Sequence, residues 1–314
     1  MNVIPVAFAF DNNLVVPAAV AFTSLLMNAE PETFYDIYVL HSERESLDKA
    51  LLSQIADVFH SNCMINYVSV RDVFDGAFEI RGITTPAYYR LLIPELIPHY
   101  DKIIYADTDI IFRSDLSSLY SIELGSNYLA ATKDLGLNLS EDGKKYIQTL
   151  PCVTPGDYLQ SGFIMLNSSL IRQDGLTDKF VEIASQKWKY QDQDTLNIVC
   201  HDRVFFLAPK YNMTDYSFYY GIKEPAKWIR QYTAQEFEDG MKYGNLHFNG
   251  HKPWRKWSVN FDIWWEYYRK SPVFDERFYF DFYYNRLNEL DQLPLLKRVK
   301  ILVRYFVYGI RKNP

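Results

Sequence analysis

An open, mostly parallel α/β sheet with helices on both faces, followed by a small helical C-terminal region, is the fold this sequence predicts. Three observations predict it. Short apolar runs alternate with longer segments of helical period through the first two-thirds of the chain. The runs 103–106 and 110–112 are apolar throughout, as strands buried on both faces are. Carboxylates stand at the ends of such runs, at Asp11 and at Asp107 and Asp109, and open α/β sheets bind ligands beyond the carboxyl ends of their strands.

Taken in order, 3–10 reads as a first strand and 15–28 as a helix. A strand is expected at 36–40. A helix is expected over 43–59, with Leu47, Leu51, Ile55 and Val58 spaced along it. Residues 62–70 form the next strand, 86–96 look helical, and 103–112 reads as one buried strand. Further strands are expected at 128–132 and 161–166, and helices at 169–188 and 193–200. After about Tyr211 the pattern weakens into aromatic clusters at 216–220 and 254–265. There is no internal repeat and no low-complexity linker.

The 314 residues suffice for one large α/β domain with an appendage. A hydrophobic content of 48% supports a sizeable core. The 25 Tyr, 21 Phe and 6 Trp suit stacking on sugars or bases, though ordinary packing uses the same rings. The net charge of −6 argues against a general nucleic-acid binder. Cys63, Cys152 and Cys200 lack metal-type spacing and read as thiols of a reducing compartment. Residues 1–11 lack a basic leader and read as a strand rather than a signal peptide. No stretch is long enough for a membrane span. The sequons at Asn138, Asn167 and Asn212 are expected to be chance matches.

From Pro294 onward the character changes. Lys297, Arg298, Lys300, Arg304, Arg311 and Lys312 face no acidic residue and alternate with aliphatic and aromatic ones, among them Tyr305, Val307, Tyr308 and Ile310. A basic amphipathic helix of this kind suits an anionic membrane surface, expected through 294–312. The plainer reading is a helix docked on the protein's own core or on a second subunit.

The centre of the chain carries the chemistry. Residues 103–112 are apolar apart from Asp107, Thr108 and Asp109. In an extended segment, side chains two apart point to the same side, so the two carboxylates are expected to project together. Two buried carboxylates are costly unless something positive lies beside them. A hard divalent cation meets that need and favours a phosphate-bearing ligand. Asp-X-Asp also occurs in turns and on solvated surfaces, but apolar flanks on both sides are unusual there. A phosphatase with Asp107 as nucleophile would fit the pair, yet it leaves 247–254 without a role.

Five other polar pieces stand in apolar surroundings. They are Phe8-Ala9-Phe10-Asp11-Asn12-Asn13, then Thr84-Thr85-Pro86-Ala87-Tyr88-Tyr89-Arg90, then Tyr158-Leu159-Gln160-Ser161-Gly162. Tyr190-Gln191-Asp192-Gln193-Asp194 and His247-Phe248-Asn249-Gly250-His251-Lys252-Pro253-Trp254 complete the set. Together with Asp107-Thr108-Asp109, and in this order, they resemble glycosyltransferase family 8. Within it the chain looks closest to bacterial galactosyl- and glucosyltransferases of lipopolysaccharide assembly.

The resemblance implies a GT-A type, Rossmann-like catalytic domain at 1–258 and a helical, aromatic and basic region at 259–314. It implies a retaining enzyme that moves galactose or glucose from a UDP-hexose donor to a glycan or lipid-linked glycan acceptor. Mn2+ would be the cofactor, with Mg2+ as the alternative ion, and the setting would be cytoplasmic, at the inner face of the cell membrane. A non-catalytic carbohydrate-binding protein with a degenerate site is the rival within the family.

Residue by residue, the resemblance implies metal ligation by Asp107, Asp109 and His247. Taken alone, His247 would read as a satisfied core histidine. Lys252 matches a diphosphate-contacting lysine, and Gly250 a close approach of backbone to phosphate. One residue separates them here where the family has two, so Arg255 and Lys256 stand as substitutes for the reach of Lys252. Asp11, with Ala9 and Asn13, matches the base- and ribose-contacting end of the first strand, and Asp11 also suits a helix N-cap. Arg90 and Thr108 belong to the donor-binding set, and Gln160 and Ser161 match positions against the donor sugar. Asp192 and Gln193 match the catalytic pair beside the anomeric carbon. An amide is a poor nucleophile, so double displacement is awkward; attack on the face of the departing diphosphate is the other route, and the sequence leaves both open.

Overall fold

The computed structural model describes residues 2–71, 73–74, 85–289, 292–304 and 306. Thr84 of the sequence motif, and Tyr305, Val307, Tyr308, Ile310, Arg311 and Lys312 of the basic tail, lie outside the described residues. The chain divides into two compact units, Met1–Val273 and Phe274–Pro314.

The first unit holds β1 (Asn2–Ala9), β2 (Thr33–Ser42), β3 (Cys63–Val70), β4 (Lys102–Ala106), β5 (Ile110–Ile111), β6 (Leu129–Lys133), β7 (Leu159–Asn167), β8 (Val204–Phe206), β9 (Met213–Thr214) and β10 (Leu246–His247). Seven of them form one sheet in the order β3-β2-β1-β4-β7-β6-β8, and β5-β10-β9 form a second, small sheet. In the large sheet only β7 runs against the others, pairing antiparallel with both β4 and β6. The mostly parallel α/β architecture expected from the sequence is present.

Alternate residues of the central strands enter separate cores. Val6, Phe8, Ile104, Ala106, Phe163 and Met165 join one, and Ala7, Ile103, Tyr105, Ile164 and Leu166 the other. This two-residue period buries both faces of the sheet. Helix Val15–Met27 is apolar apart from Thr23 and Ser24 and nearly all buried, so it needs cover on both sides. It packs in the first core with β1. On its other side Thr23 donates to Ser271 at 3.1 Å and Asn28 to Tyr267 at 2.8 Å, holding helix Phe261–Lys270. The first unit therefore runs beyond residue 258 to Val273.

The order 2-1-4 in the sheet makes the gap between β1 and β4 a topological switch point, where such folds bind ligands. Ala7 pairs with Tyr105 and Ala106 with Phe163. The ends of β1 and β4 and the start of β7 therefore share one edge, which carries Asp11, Asp107 and 160–162.

Three local expectations are corrected. Residues 103–112 are not one strand: β4 ends at Ala106, Thr108 and Asp109 turn, and β5 joins the other sheet. The helix expected from residue 43 begins only at Ala50, because Asn12 pins the preceding loop, accepting from Asp48 N at 2.7 Å and donating to Ser46 O at 3.1 Å. The helix expected over 169–188 is two, Ser168–Gln173 and Leu176–Ala184, separated by Gly175 at φ +63°, a left-handed conformation natural to glycine.

Asn138 and Asn212 are buried, with their amides bonded internally, as chance sequons require. The three cysteines are free. In the second unit, helix Glu276–Leu287 is capped by Asp275 and followed by helix Leu295–Arg304. Among the described residues no helix is long and apolar enough to cross a membrane.

Candidate active site

Every residue of the expected donor, catalytic and metal sets lines one cavity of about 880 Å3 at the shared edge of β1, β4 and β7, as does Arg255 but not Lys256. Ala9, Asp11 and Asn13 come from the end of β1, Arg90 from the 3-10 helix Thr85–Leu92, and Asp107, Thr108 and Asp109 from the turn between sheets. Gln160 and Ser161 start β7, Asp192 and Gln193 open helix Gln191–Cys200, and His247, Gly250 and Lys252 follow from β10. Asp11 also acts as an N-cap, accepting from Asn13 N at 2.9 Å.

The break after β4 brings the acids to the histidine. β5 pairs with β10, aligning Ile110 with His247. His247 Nε2 then lies 3.3 Å from Asp109 Oδ1 and 3.7 Å from Asp107 Oδ2. One ligand atom from each of the three lies within 4.8 Å of the others. The carboxylates thus meet around a turn between two sheets, not along one strand.

The imidazole is oriented from behind. His247 Nδ1 is 2.9 Å from Asn212 Oδ1, an acceptor that calls for N–H at Nδ1 and leaves the Nε2 lone pair facing the acids. Asn212 in turn donates to Gln160 Oε1 at 2.7 Å and Thr132 Oγ1 at 3.2 Å. Asp109 Oδ1 is buried without a hydrogen-bond partner. Burial would raise the Asp109 carboxyl, but the Lys252 ammonium, joined by His247 only when that ring is protonated, outweighs it and holds it below the usual range. A buried, unpartnered, ionised oxygen beside an imidazole lone pair fits a divalent cation with O and N ligands.

Arg90 ties the acids to the other half of the site. It donates to Asp107 Oδ1 at 3.0 Å, to Ser161 O at 2.7 Å and to Ala87 O at 2.8 Å. Its Nε is 3.2 Å from Asp192 Oδ2, and its plane lies over the Tyr105 ring at 4.3 Å. Burial works against this cation, but Asp107 and Asp192 more than offset it. Tyr105 donates its hydroxyl to Asp107 Oδ1 at 2.8 Å.

The start of β7 is irregular: Ala131 pairs with Ile164, but Lys133 with Leu159. Such bulges re-aim side chains and leave backbone groups to be satisfied otherwise. Helix Gln191–Cys200 does this with polar side chains. Asn197 accepts from Leu159 N at 2.7 Å, and Gln193 Oε1 from Ser161 N at 3.0 Å. Gln193 Nε2 donates to Asp134 Oδ2 at 3.0 Å, and Asp192 accepts from Ser161 Oγ at 3.0 Å. Burial pushes Asp192 up to about 6, Arg90 opposing and Asp107 adding to the rise. Asp194 anchors the helix start, accepting from Tyr158 OH at 2.6 Å and Tyr190 N at 2.7 Å.

Despite the short loop, Lys252 Nζ reaches the site, bonded to Asp109 Oδ2 and to Phe248 O at 2.8 Å. Two glycines permit the approach. A Cβ on Gly162 would meet His247 Cε1 at 2.4 Å and Asp107 Oδ2 at 2.5 Å, and one on Gly250 would meet Asp215 Oδ2 at 2.4 Å.

Sequence reasoning passed over several cavity or supporting residues. Asn212 carries in the sequence only a sequon and its place as a polar residue between Tyr211 and Met213. Asp134 and Asp215 line the cavity and are raised by burial; neither lies in a segment with a strong local pattern.

The comparisons with known proteins agree with this geometry. The description Glycosyl transferase family 8 matches residues 5–258, and the chain belongs to that family. It is 25% identical over 253 residues to General stress protein A of Bacillus subtilis, covering 78% of this chain and 85% of that protein. It is 26% identical over 278 residues to a lipopolysaccharide 1,2-glucosyltransferase of Escherichia coli, covering 85% of this chain and 78% of that one. Among solved structures, galactosyltransferase LgtC in complex with donor and acceptor sugar analogs superposes with a TM-score of 0.70 at 25% identity, over 87% of this chain and 98% of that one. The bifunctional glycosyltransferase WbbM shares the fold with a TM-score of 0.71 at 24% identity over 88% of this chain, which spans only 51% of WbbM. The protein is therefore a glycosyltransferase of GT-A type, and the phosphatase reading is set aside.

Proposed function

We propose that the protein is a retaining hexosyltransferase that moves galactose or glucose from a UDP-hexose to a glycan acceptor such as lipopolysaccharide, with Mn2+ as its ion. The observation that carries this reading is the convergence of Asp107, Asp109 and His247 in the cavity that also holds Asp192 and Gln193. Asp107, Asp109 and His247 would hold the ion, Mg2+ being the alternative. When bound, a divalent ion supplies Lewis-acid stabilisation of charge on the departing diphosphate.

The chain's own groups have separable roles. Ala9, Asp11 and Asn13 receive the base and ribose at the end of β1, and Thr108, Gly250 and Lys252 line the diphosphate end. Gln160 and Ser161 face the donor sugar, and Asp192 accepts from its hydroxyls. Arg90 fixes Asp107 and Asp192 relative to each other through hydrogen bonds it cannot lose without exposing a buried charge. Gln193 is held at its oxygen by Ser161 N and at its nitrogen by Asp134. An amide so engaged suits positioning beside the anomeric carbon better than nucleophilic attack. The reading then follows same-face transfer, with a phosphate oxygen taking the acceptor proton.

The second unit complements this. Leu295, Leu296 and Leu302 are exposed beside Lys297, Arg298 and Lys300, a composition suited to an anionic membrane surface and to a cytoplasmic enzyme working on a lipid-linked acceptor.

A donor-hydrolysis assay tests the reading. UDP release from UDP-galactose or UDP-glucose should require Mn2+ and fall by at least about 100-fold in Asp107→Asn and Asp109→Asn. Metal-independent release, or full activity in both variants, would reject it; a protein that binds sugar without catalysis would release no UDP at all.

A further inference from the structure

The cavity lining includes Asp215 and Tyr216, residues with no part in the donor roles above. Thr214 caps helix Asp215–Lys223 through a reciprocal box with Ser217, which fixes Asp215 and Tyr216 in the first turn. Both line the cavity. Asp215 abuts Gly250, on the loop that carries Lys252. Tyr216 lies against Gly136, where a Cβ would meet the ring at 2.7 Å. Gly136 is two residues from Asp134, the partner of Gln193. Tyr216 thus lines the cavity next to Asp215, which touches the Gly250 loop, and against Gly136, two residues from the partner of Gln193. Its ring also stacks on Tyr220, with centroids 6.3 Å apart and planes at 25°.

Tyr216 is 50% exposed although it is backed by Gly136 and Tyr220. A large aromatic in a cavity wall, held in orientation yet half uncovered, offers a flat apolar surface with a polar tip. That surface complements the C–H face of a pyranose, whose hydroxyls point outward around the ring. Asp134 and Asp215 nearby supply acceptors for those hydroxyls.

We propose that Tyr216, seated on Gly136, is the platform on which a hexopyranose unit of the acceptor stacks, and so a specificity-determining residue on the acceptor side. This rests on the transferase reading above and assigns its acceptor a pyranose end. Removing the ring should weaken the acceptor without weakening the donor. Gly136→Ala should do the same by displacing the ring while leaving its chemistry intact.

The experiment is saturation-transfer NMR of methyl β-galactopyranoside and methyl β-glucopyranoside on the full chain, with UDP and Mn2+ present. The melting shift induced by UDP and Mn2+ is recorded on each sample first. Its absence in wild type counts against the donor reading, separately from this one. At least one glycoside should bind wild type and Tyr216→Phe, while Tyr216→Ala and Gly136→Ala lose affinity by about tenfold. Equal glycoside binding by wild type and both weakened variants would overturn the proposal, as would no binding of either glycoside to a wild type that shows the nucleotide shift.

Discussion

Asn212 Oδ1 lies 2.9 Å from His247 Nδ1, and that contact decides which nitrogen of the imidazole meets Asp107 and Asp109. It links the bulged start of β7, through Gln160, to the acidic turn between the two sheets. Replacing Asn212 by Leu should lower Mn2+ affinity about 10–100-fold, the usual effect of removing the group that orients a ligating histidine. Calorimetric titration with Mn2+ measures it; unchanged affinity would show that the tautomer is set otherwise.

Gly162 is predicted to be intolerant of any side chain. Its Cβ would stand 2.4 Å from His247 and 2.5 Å from Asp107, and both neighbours are fixed by Asn212, Arg90 and Tyr105. Gly162→Ala should abolish measurable Mn2+ binding and destabilise the fold by about 1–3 kcal/mol. Denaturant unfolding and metal titration on the same sample check the two effects.

Asp192 gives the site a pH dependence. Burial raises it to about 6, with Arg90 opposing and Asp107 adding to the rise, against about 3.9 in the unfolded chain. Between those values the folded state binds the extra proton, so stability falls as pH rises through that window and the cost is fully present above about 6. Asp192→Asn should lack this fall. The difference in Tm between wild type and variant, followed from pH 4 to 7, reads it directly. Donor hydrolysis by wild type should rise over the same interval as the carboxylate forms.

Much of this was legible in the sequence because strands and ligand-bearing ends leave local marks. The runs that became β1 and β4 announced themselves by unbroken apolarity, and the polar residues closing them marked the edge where the cavity lies. What failed was continuity. Ile110 and Ile111 are as apolar as Ile103 and Ile104, so composition could not show that the chain changes sheets at Asp107-Thr108-Asp109. Pairing with β10, more than a hundred residues downstream, decides that. The sequence marks Gly162, Asn212 and Tyr216 only as part of a motif, a sequon and an aromatic cluster, because the neighbours each one meets are brought in by tertiary packing. The late start of helix Ala50–Val58 likewise reflects a hold by Asn12, which helical spacing does not report.

The second unit makes its own prediction. Helix Leu295–Arg304 exposes Leu296 at 84% and Leu295 at 75% beside Lys297 and Lys300. A chain ending at Leu293 should keep the Tm of the full protein and lose binding to vesicles rich in anionic lipid, and binding by the full chain should weaken with salt. Flotation with vesicles measures it; equal binding by the shortened chain would refute a membrane role for the tail.

The most direct test of the central claim is a crystal structure of the protein with Mn2+ and UDP. The account predicts one ion held by oxygens of Asp107 and Asp109 and by His247 Nε2, with the diphosphate on its open side. An ion bound elsewhere, or a diphosphate seated away from these three residues, would contradict it.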